Sequence, residues 1–271
     1  MNVHFELAQH IADKFATLPQ VDAVTIAGSL TTDTADSGSD IDLYVYAESD
    51  IPPAVRDDFF TSSASHMELN NQYWETGDEW QDAATGIKVD VMYRNLAWVR
   101  EMLERNLEQH QASVGYTTCF WQNVLTSRIL FDRNGRFQAL KEWAKRPYPT
   151  PLVRAIIAKN YPILRDTQSS YLQQIAKAAS RGDLVSVNHR VAEFFASYFD
   201  IIFAINRLPH PGEKRLLSVI NERCEKQPQH MNEHVQALLR AAGQPNDTIS
   251  NHIHALVDGL DALLTQENLL K

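Results

Sequence analysis

Cysteine is nearly absent from the chain, and the two present, Cys119 and Cys224, lie far apart with no Cys-x-x-Cys between them. This excludes a disulfide scaffold and a thiolate zinc site, and the expected compartment is a reducing cytoplasm. The N-terminal residues lack the basic-then-apolar pattern of a signal peptide, and no apolar run approaches the roughly 20 residues that span a bilayer. No membrane partner is expected. Positive charge is also scarce: 25 Lys and Arg face 34 Asp and Glu, for a formal charge of −9. A protein that coats long nucleic acid needs the opposite balance, because its affinity comes from neutralising phosphates. Internal repeats and low-complexity tracts are missing too. A hydrophobic fraction of 44% over 271 residues can bury one large core or two modest ones.

The charge is unevenly spread. Residues 1–110 hold 20 acids and 6 bases, whereas residues 111–271 hold 14 acids and 19 bases. Periodicity changes at nearly the same place. In the first region Phe5–Leu18 has the spacing of an amphipathic helix, Val21–Ala27 and Ile41–Tyr46 read as strands, and Pro52-Pro53 marks a helix start. Further strands are expected near Met67–Trp74 and Ile87–Tyr93. Beyond Arg94 long helical patterns take over, among them Thr117–Leu130, Leu152–Ala179 with a kink or break at Pro162, and Leu184–Asn206. The expected fold is therefore α+β, with a small mixed sheet and flanking helices over 1–110 and an all-helical region over 111–271.

The segment from Gly28 to Tyr44 carries the chemistry. Asp40 and Asp42 stand two apart at the start of a strand, so both carboxylates point to one face while Ile41 and Leu43 point to the other. Paired acids repel unless a cation lies between them, and oxygen-only ligands suit a hard ion such as magnesium. Asp90 sits in the apolar strand Ile87–Tyr93, where a charge is costly without a partner. Should that strand neighbour the Asp40 strand, the three carboxylates form a site for two divalent cations, suited to in-line phosphoryl or nucleotidyl transfer. Upstream, Gly28 allows close backbone approach, and the Ser29 hydroxyl and nearby N–H groups suit phosphate oxygens. Ser39, just before the acids, is a further candidate phosphate contact.

In these residues, Gly28-Ser29, Asp40-Ile41-Asp42 and Asp90, the chain resembles the DNA polymerase beta-like nucleotidyltransferase superfamily. The match covers roughly residues 20–95. Length and the helical second half are similar to bacterial small-substrate enzymes of the aminoglycoside and lincosamide type. The resemblance implies an N-terminal nucleotidyltransferase catalytic domain and a helical C-terminal domain that supports substrate and nucleotide. It implies that Asp40 and Asp42 bind two magnesium ions, and that Asp90 completes the metal facing the acceptor and accepts the acceptor's proton. Gly28 and Ser29 would cradle the β- and γ-phosphates. The implied reaction is attack of a hydroxyl on the α-phosphorus of a nucleoside triphosphate, expected to be ATP, with release of pyrophosphate. The acceptor is expected to be small and hydroxylated, with a cationic one among the possibilities. Alternatives are a protein or RNA acceptor and a silent nucleotide-binding module, although no acid of the motif is missing.

Outside the motif, Asn206–Lys214 is a turn into a helix in which Lys214 could reach the triphosphate, with Arg207 a weaker candidate. Residues 128–165 carry nine bases against Asp132 and Glu142, a pattern that fits a solvated face or, less well, a phosphate or RNA surface. Trp74–Trp80 combines two tryptophans with three acids and reads as a hairpin loop, or as the rim of a pocket for a cation. His230, His234, His252 and His254 lack a ligand of known spacing for zinc.

Overall fold

The structure, a computed structural model, describes residues 3–31, 39–73, 75–244 and 248–270. In chain order the elements are α1 (Val3–Ala16), β1 (Val21–Ile26), β2 (Ile41–Ala47), α2 (Pro53–Phe60), β3 (Ala64–Asn71), β4 (Gly77–Asp82), β5 (Lys88–Arg94), α3 (Leu96–Leu107), α4 (Cys119–Thr126), β6 (Arg128–Asp132) and α5 (Arg136–Ala144). There follow α6 (Thr150–Arg165), α7 (Tyr171–Ser180), α8 (Leu184–Ile205), α9 (Leu216–Arg223), α10 (Met231–Gly243) and α11 (Ile249–Gln266). The fold is α+β: a mixed six-stranded sheet with helices, followed by an all-helical C-terminal region.

The sheet runs in the order β3-β4-β5-β2-β1-β6, and its neighbours are antiparallel except β2 and β5, which are parallel. Alternation decides its faces. Ile41, Leu43 and Val45 of β2 join Val89 and Val91 of β5 in one buried cluster with Ala8, Ile11, Ala12 and Phe15 of α1. Each buried Val, Leu, Ile or Phe among them contributes roughly 2 kcal/mol by leaving water. The alternate residues Asp42 and Tyr44 are only half-buried on the other face. β1 is buried along its whole length, as an interior strand rich in Val, Ile and Thr should be. Within the sheet's second hairpin, buried Asp78 accepts from Arg56 (2.6 Å), Tyr93 Oη (2.6 Å) and the Asn70 N–H (2.7 Å).

Two compact units emerge. The first is 1–104 with 120–146, and the second 105–119 with 147–271. The chain thus returns to the sheet after the expected boundary at residue 110, because the segment expected to be one helix over Thr117–Leu130 is the short helix α4 followed by the edge strand β6. Ile129, Leu130 and Phe131 form a short β-branched and aromatic run that pairs with β1. Two other expectations also change. β4 occupies part of the stretch read as a loop, and the helix over Leu152–Ala179 breaks between Arg165 and Tyr171. Pro162 itself stays inside α6, with its carbonyl accepting from the Asp166 N–H (3.0 Å), and Ser170 caps the next helix.

In the second unit, α8 carries a buried acid, Asp200, which accepts from the Thr117 hydroxyl (2.6 Å) and N–H (3.2 Å). Asn160 of α6 accepts from the Gly115 N–H (2.9 Å) and donates to the Ser113 carbonyl (3.0 Å). Together they fasten the 113–117 loop. Among the described residues no helix is long and apolar enough to cross a membrane.

Candidate active site

The parallel pairing of β2 with β5 sets Asp42 directly opposite Asp90. Adjacent strands lie about 4.8 Å apart, and register partners share a face, so the two carboxylates are close neighbours. Asp40 immediately precedes β2 and is exposed, on the face to which Asp42 points by alternation. Asp90 is not on an edge strand, since β5 lies between β4 and β2.

On its other side Asp90 faces Glu79 of β4, which in turn pairs with Glu68 of β3. Four acids therefore form one row across four strands. Sequence reasoning missed Glu79 because β4 was not read as a strand. The available signal was the alternation Asp78, Trp80 and Asp82, all buried, around the exposed Glu79. Like charges in register are destabilising, and the consequence falls on Asp90. Burial first, and then Glu79, Asp42, Asp40 and Glu75, push its carboxyl up to about 6.

Gly28 closes the site from β1. Its φ is +65°, and a Cβ there would stand 1.8 Å from Asp42 Oδ2. The glycine is thus required twice, by backbone conformation and by the acid beside it. The Ala27 N–H donates to the Asp42 carbonyl (3.0 Å) and ties the end of β1 to this position. Gly28 opens a 3-10 turn to Thr31, whose hydroxyl donates back to the Gly28 carbonyl (3.0 Å). Ser29 lies in that turn with its side chain outside what is described; Ser39 is half-buried, and residues 32–38 and Trp74 are outside the described residues.

The donor set fits a hard divalent cation. Asp40, Asp42 and Asp90 are oxygen donors on one face, and a cation would relieve the repulsion that raises Asp90. In the present side-chain arrangement, no three His, Cys, Asp or Glu groups among the described residues are drawn together as a ligand set.

The remaining candidates belong to other elements. Lys214 is exposed in the second unit, on the turn before α9. Arg207 is committed to the Tyr148 carbonyl (3.0 Å) and Thr150 Oγ1 (3.1 Å), a structural role rather than a phosphate contact. Three members of the basic run 128–165 are engaged within the fold. Arg133 donates to the carbonyls of Ala16 (2.8 Å), Leu18 (3.0 Å) and Val21 (2.9 Å), Arg136 pairs with Asp22 and Glu48, and Arg165 pairs with Asp258 and Asp261. Trp80 is no rim residue, since it is buried and stacked on Phe60 at 4.4 Å.

Residues 8–112 match the family described as nucleotidyltransferase domain, and residues 120–216 match a domain of unknown function, DUF4037. No curated protein matches the chain. Among solved structures, a nucleotidyltransferase-like protein from Exiguobacterium sibiricum is similar at 15% identity and TM-score 0.43, over 97% of this chain and 75% of that one. The Thermotoga maritima CCA-adding enzyme complexed with tRNA is similar at 10% identity and TM-score 0.33, over 99% and 83%. The CdnE c-di-GMP synthase from Capnocytophaga granulosa follows at 12% and 0.28, over 98% and 82%.

Proposed function

We propose that the chain is a metal-dependent nucleotidyltransferase that moves a nucleoside monophosphate, AMP from ATP, to a hydroxyl of a small acceptor and releases pyrophosphate. The observation that carries this reading is the register of Asp42 with Asp90, with Asp40 on the same face and Gly28 fitted against Asp42. It gains support from the nucleotidyltransferase domain matched over residues 8–112.

Asp40, Asp42 and Asp90 would hold two magnesium ions. When bound, these supply charge neutralisation for the phosphates and for the oxygens that attack and leave. The chain's own groups do the rest. The turn that starts at Gly28, with Ser29 and Ser39, offers backbone and hydroxyl donors to phosphate oxygens. Lys214 is the candidate cation for the triphosphate. Asp90 takes the proton as the acceptor oxygen bonds to the α-phosphorus and the bond to pyrophosphate breaks.

A small acceptor is favoured over RNA because the formal charge is −9 and Arg133, Arg136 and Arg165 of the basic run are engaged with internal carbonyls and acids. Labelled ATP and magnesium are incubated with a panel of small alcohols and, separately, with a cell lysate resolved by size. Label in small products supports this reading; label only in protein or RNA overturns the choice of acceptor, and no label with any partner overturns the activity.

A further inference from the structure

The first unit contains a cavity of about 460 Å³ beside the end of β5, lined by Glu75, Thr76, Tyr93, Arg94, Trp98 and Phe120 among others. This lies within the range of roughly 300–1,000 Å³ typical of small-molecule sites. Its wall is aromatic. Asn95 caps α3 by accepting from the Ala97 N–H (2.8 Å), which fixes the helix start that presents Trp98. Trp98 stays 40% exposed and meets Phe120 edge to face at 5.2 Å.

The charges beside this wall are unequal in what they can still do. Arg94 gives Nε (2.8 Å) and Nη2 (2.6 Å) to Glu75, and its guanidinium is sandwiched against Tyr44 (4.1 Å) and Phe120 (5.0 Å). It is 7% exposed, so its charge is matched and held. Glu75 is 38% exposed, and a carboxylate has about four acceptor positions, of which Arg94 takes two. The Thr76 hydroxyl donates to Gln72 Oε1 (3.2 Å), so its oxygen is left to accept. Glu75 and Thr76 therefore offer acceptors to a ligand that donates hydrogen bonds, while Arg94, at 7% exposed, offers little of its remaining N–H groups. The wider field has the same sign, since Asp90, Met92 and Arg94 alternate along one face of β5, and Glu79 and Asp42 flank Asp90.

The geometry points to a binding site for a small organic ammonium ion with a flat apolar body, its ring against Trp98 and Phe120 and its ammonium at Glu75. A cation near an indole face and a carboxylate gains from both, and desolvation by the aromatic wall strengthens each. An anion would find no uncommitted cation among these residues. The identification of this ligand as the acceptor rests on the proposed function. Asp90 and Arg94 stand on one face of β5 and Glu75 is held on Arg94, so an acceptor with its hydroxyl at the far end from its amine extends from Glu75 toward Asp90.

The test is calorimetric titration without metal or nucleotide, using tyramine, its uncharged analogue 4-ethylphenol and its anionic analogue 4-hydroxyphenylacetate. Tyramine is expected to bind at least tenfold more tightly than either analogue. Trp98→Leu should weaken tyramine at least tenfold, and Thr76→Val about threefold. Equal binding of the three compounds, no binding of tyramine, or unchanged tyramine affinity in Trp98→Leu overturns the site. Loss of nucleotidyl transfer with every acceptor would sink the proposed function and leave this site standing, whereas failure of the titration would sink the site alone.

Discussion

The carboxylate of Asp42 occupies the space that a side chain on Gly28 would need, with Oδ2 only 1.8 Å from the position of a Gly28 Cβ. The first strand's end and the second strand's acid are thereby fitted to one another. Gly28→Ala must either strain a backbone at φ +65° or push Asp42 aside. The expected outcome is a stability loss of about 1–3 kcal/mol by denaturant titration, together with a fall in pyrophosphate release of at least roughly a hundredfold. Activity close to wild type would show that the Asp42 position is not critical.

Asp78 and Arg56 form a buried ion pair, 0% and 3% exposed, with Tyr93 and the Asn70 N–H completing the shell of the acid. Removing one partner leaves the other charge buried, which costs about 3–5 kcal/mol. Asp78→Ala should therefore lower the midpoint of chemical denaturation sharply. The double variant Arg56→Met/Asp78→Leu should recover much of the loss.

Asp200 and His210 give opposite pH dependences in the helical unit. Burial pushes Asp200 up to about 7, although Thr117 opposes the shift, and burial pulls His210 down to about 4. A raised acid binds more protons folded than unfolded, so its share of stability is present at low pH and is lost between about 4 and 7. A depressed histidine binds fewer protons folded, so its share is present above its ordinary pKa and is lost as pH falls from about 6.5 to 4. The two trends offset each other below 6.5. Asp200→Asn should stabilise the protein by on the order of 1–3 kcal/mol at pH 8 and have little effect at pH 4, as thermal melts across pH would show.

Burial raises the thiol of Cys119 to about 12 and that of Cys224 to about 11. Thiolate is the reactive form. Neither cysteine should react with a disulfide reagent in the native protein at pH 7.5 within minutes, and both should react once it is denatured.

Much of the candidate site's layout was legible in the sequence because its signals are local. Alternation in Ile41-Asp42-Leu43 assigned faces, and Gly28 marked the end of β1. Helix α2 begins at Pro53, as the proline pair indicated. What was lost depends on pairing. Gly77-Asp78-Glu79 resembles turn chemistry, yet β4 forms because Asp78 can bury its charge against Arg56, a partner 22 positions away. The row that links Glu79 to Asp90 follows only from that strand. Similarly, β6 is five residues long and follows directly on a helix, so its pairing with β1 was hidden in a continuous helical pattern. The use of Arg133 on three carbonyls more than 110 positions away has no local signature at all.

The central claim is that Asp40, Asp42 and Asp90 form a cation-dependent centre for nucleotidyl transfer. Pyrophosphate release from ATP with magnesium and a mixture of small alcohols and amino alcohols, compared between wild type and Asp42→Asn at matched folded fraction, tests it most directly. The expected result is release that chelation abolishes and that Asp42→Asn lowers by at least roughly a thousandfold. Equal release by the two proteins, or release that persists without divalent cation, would contradict it.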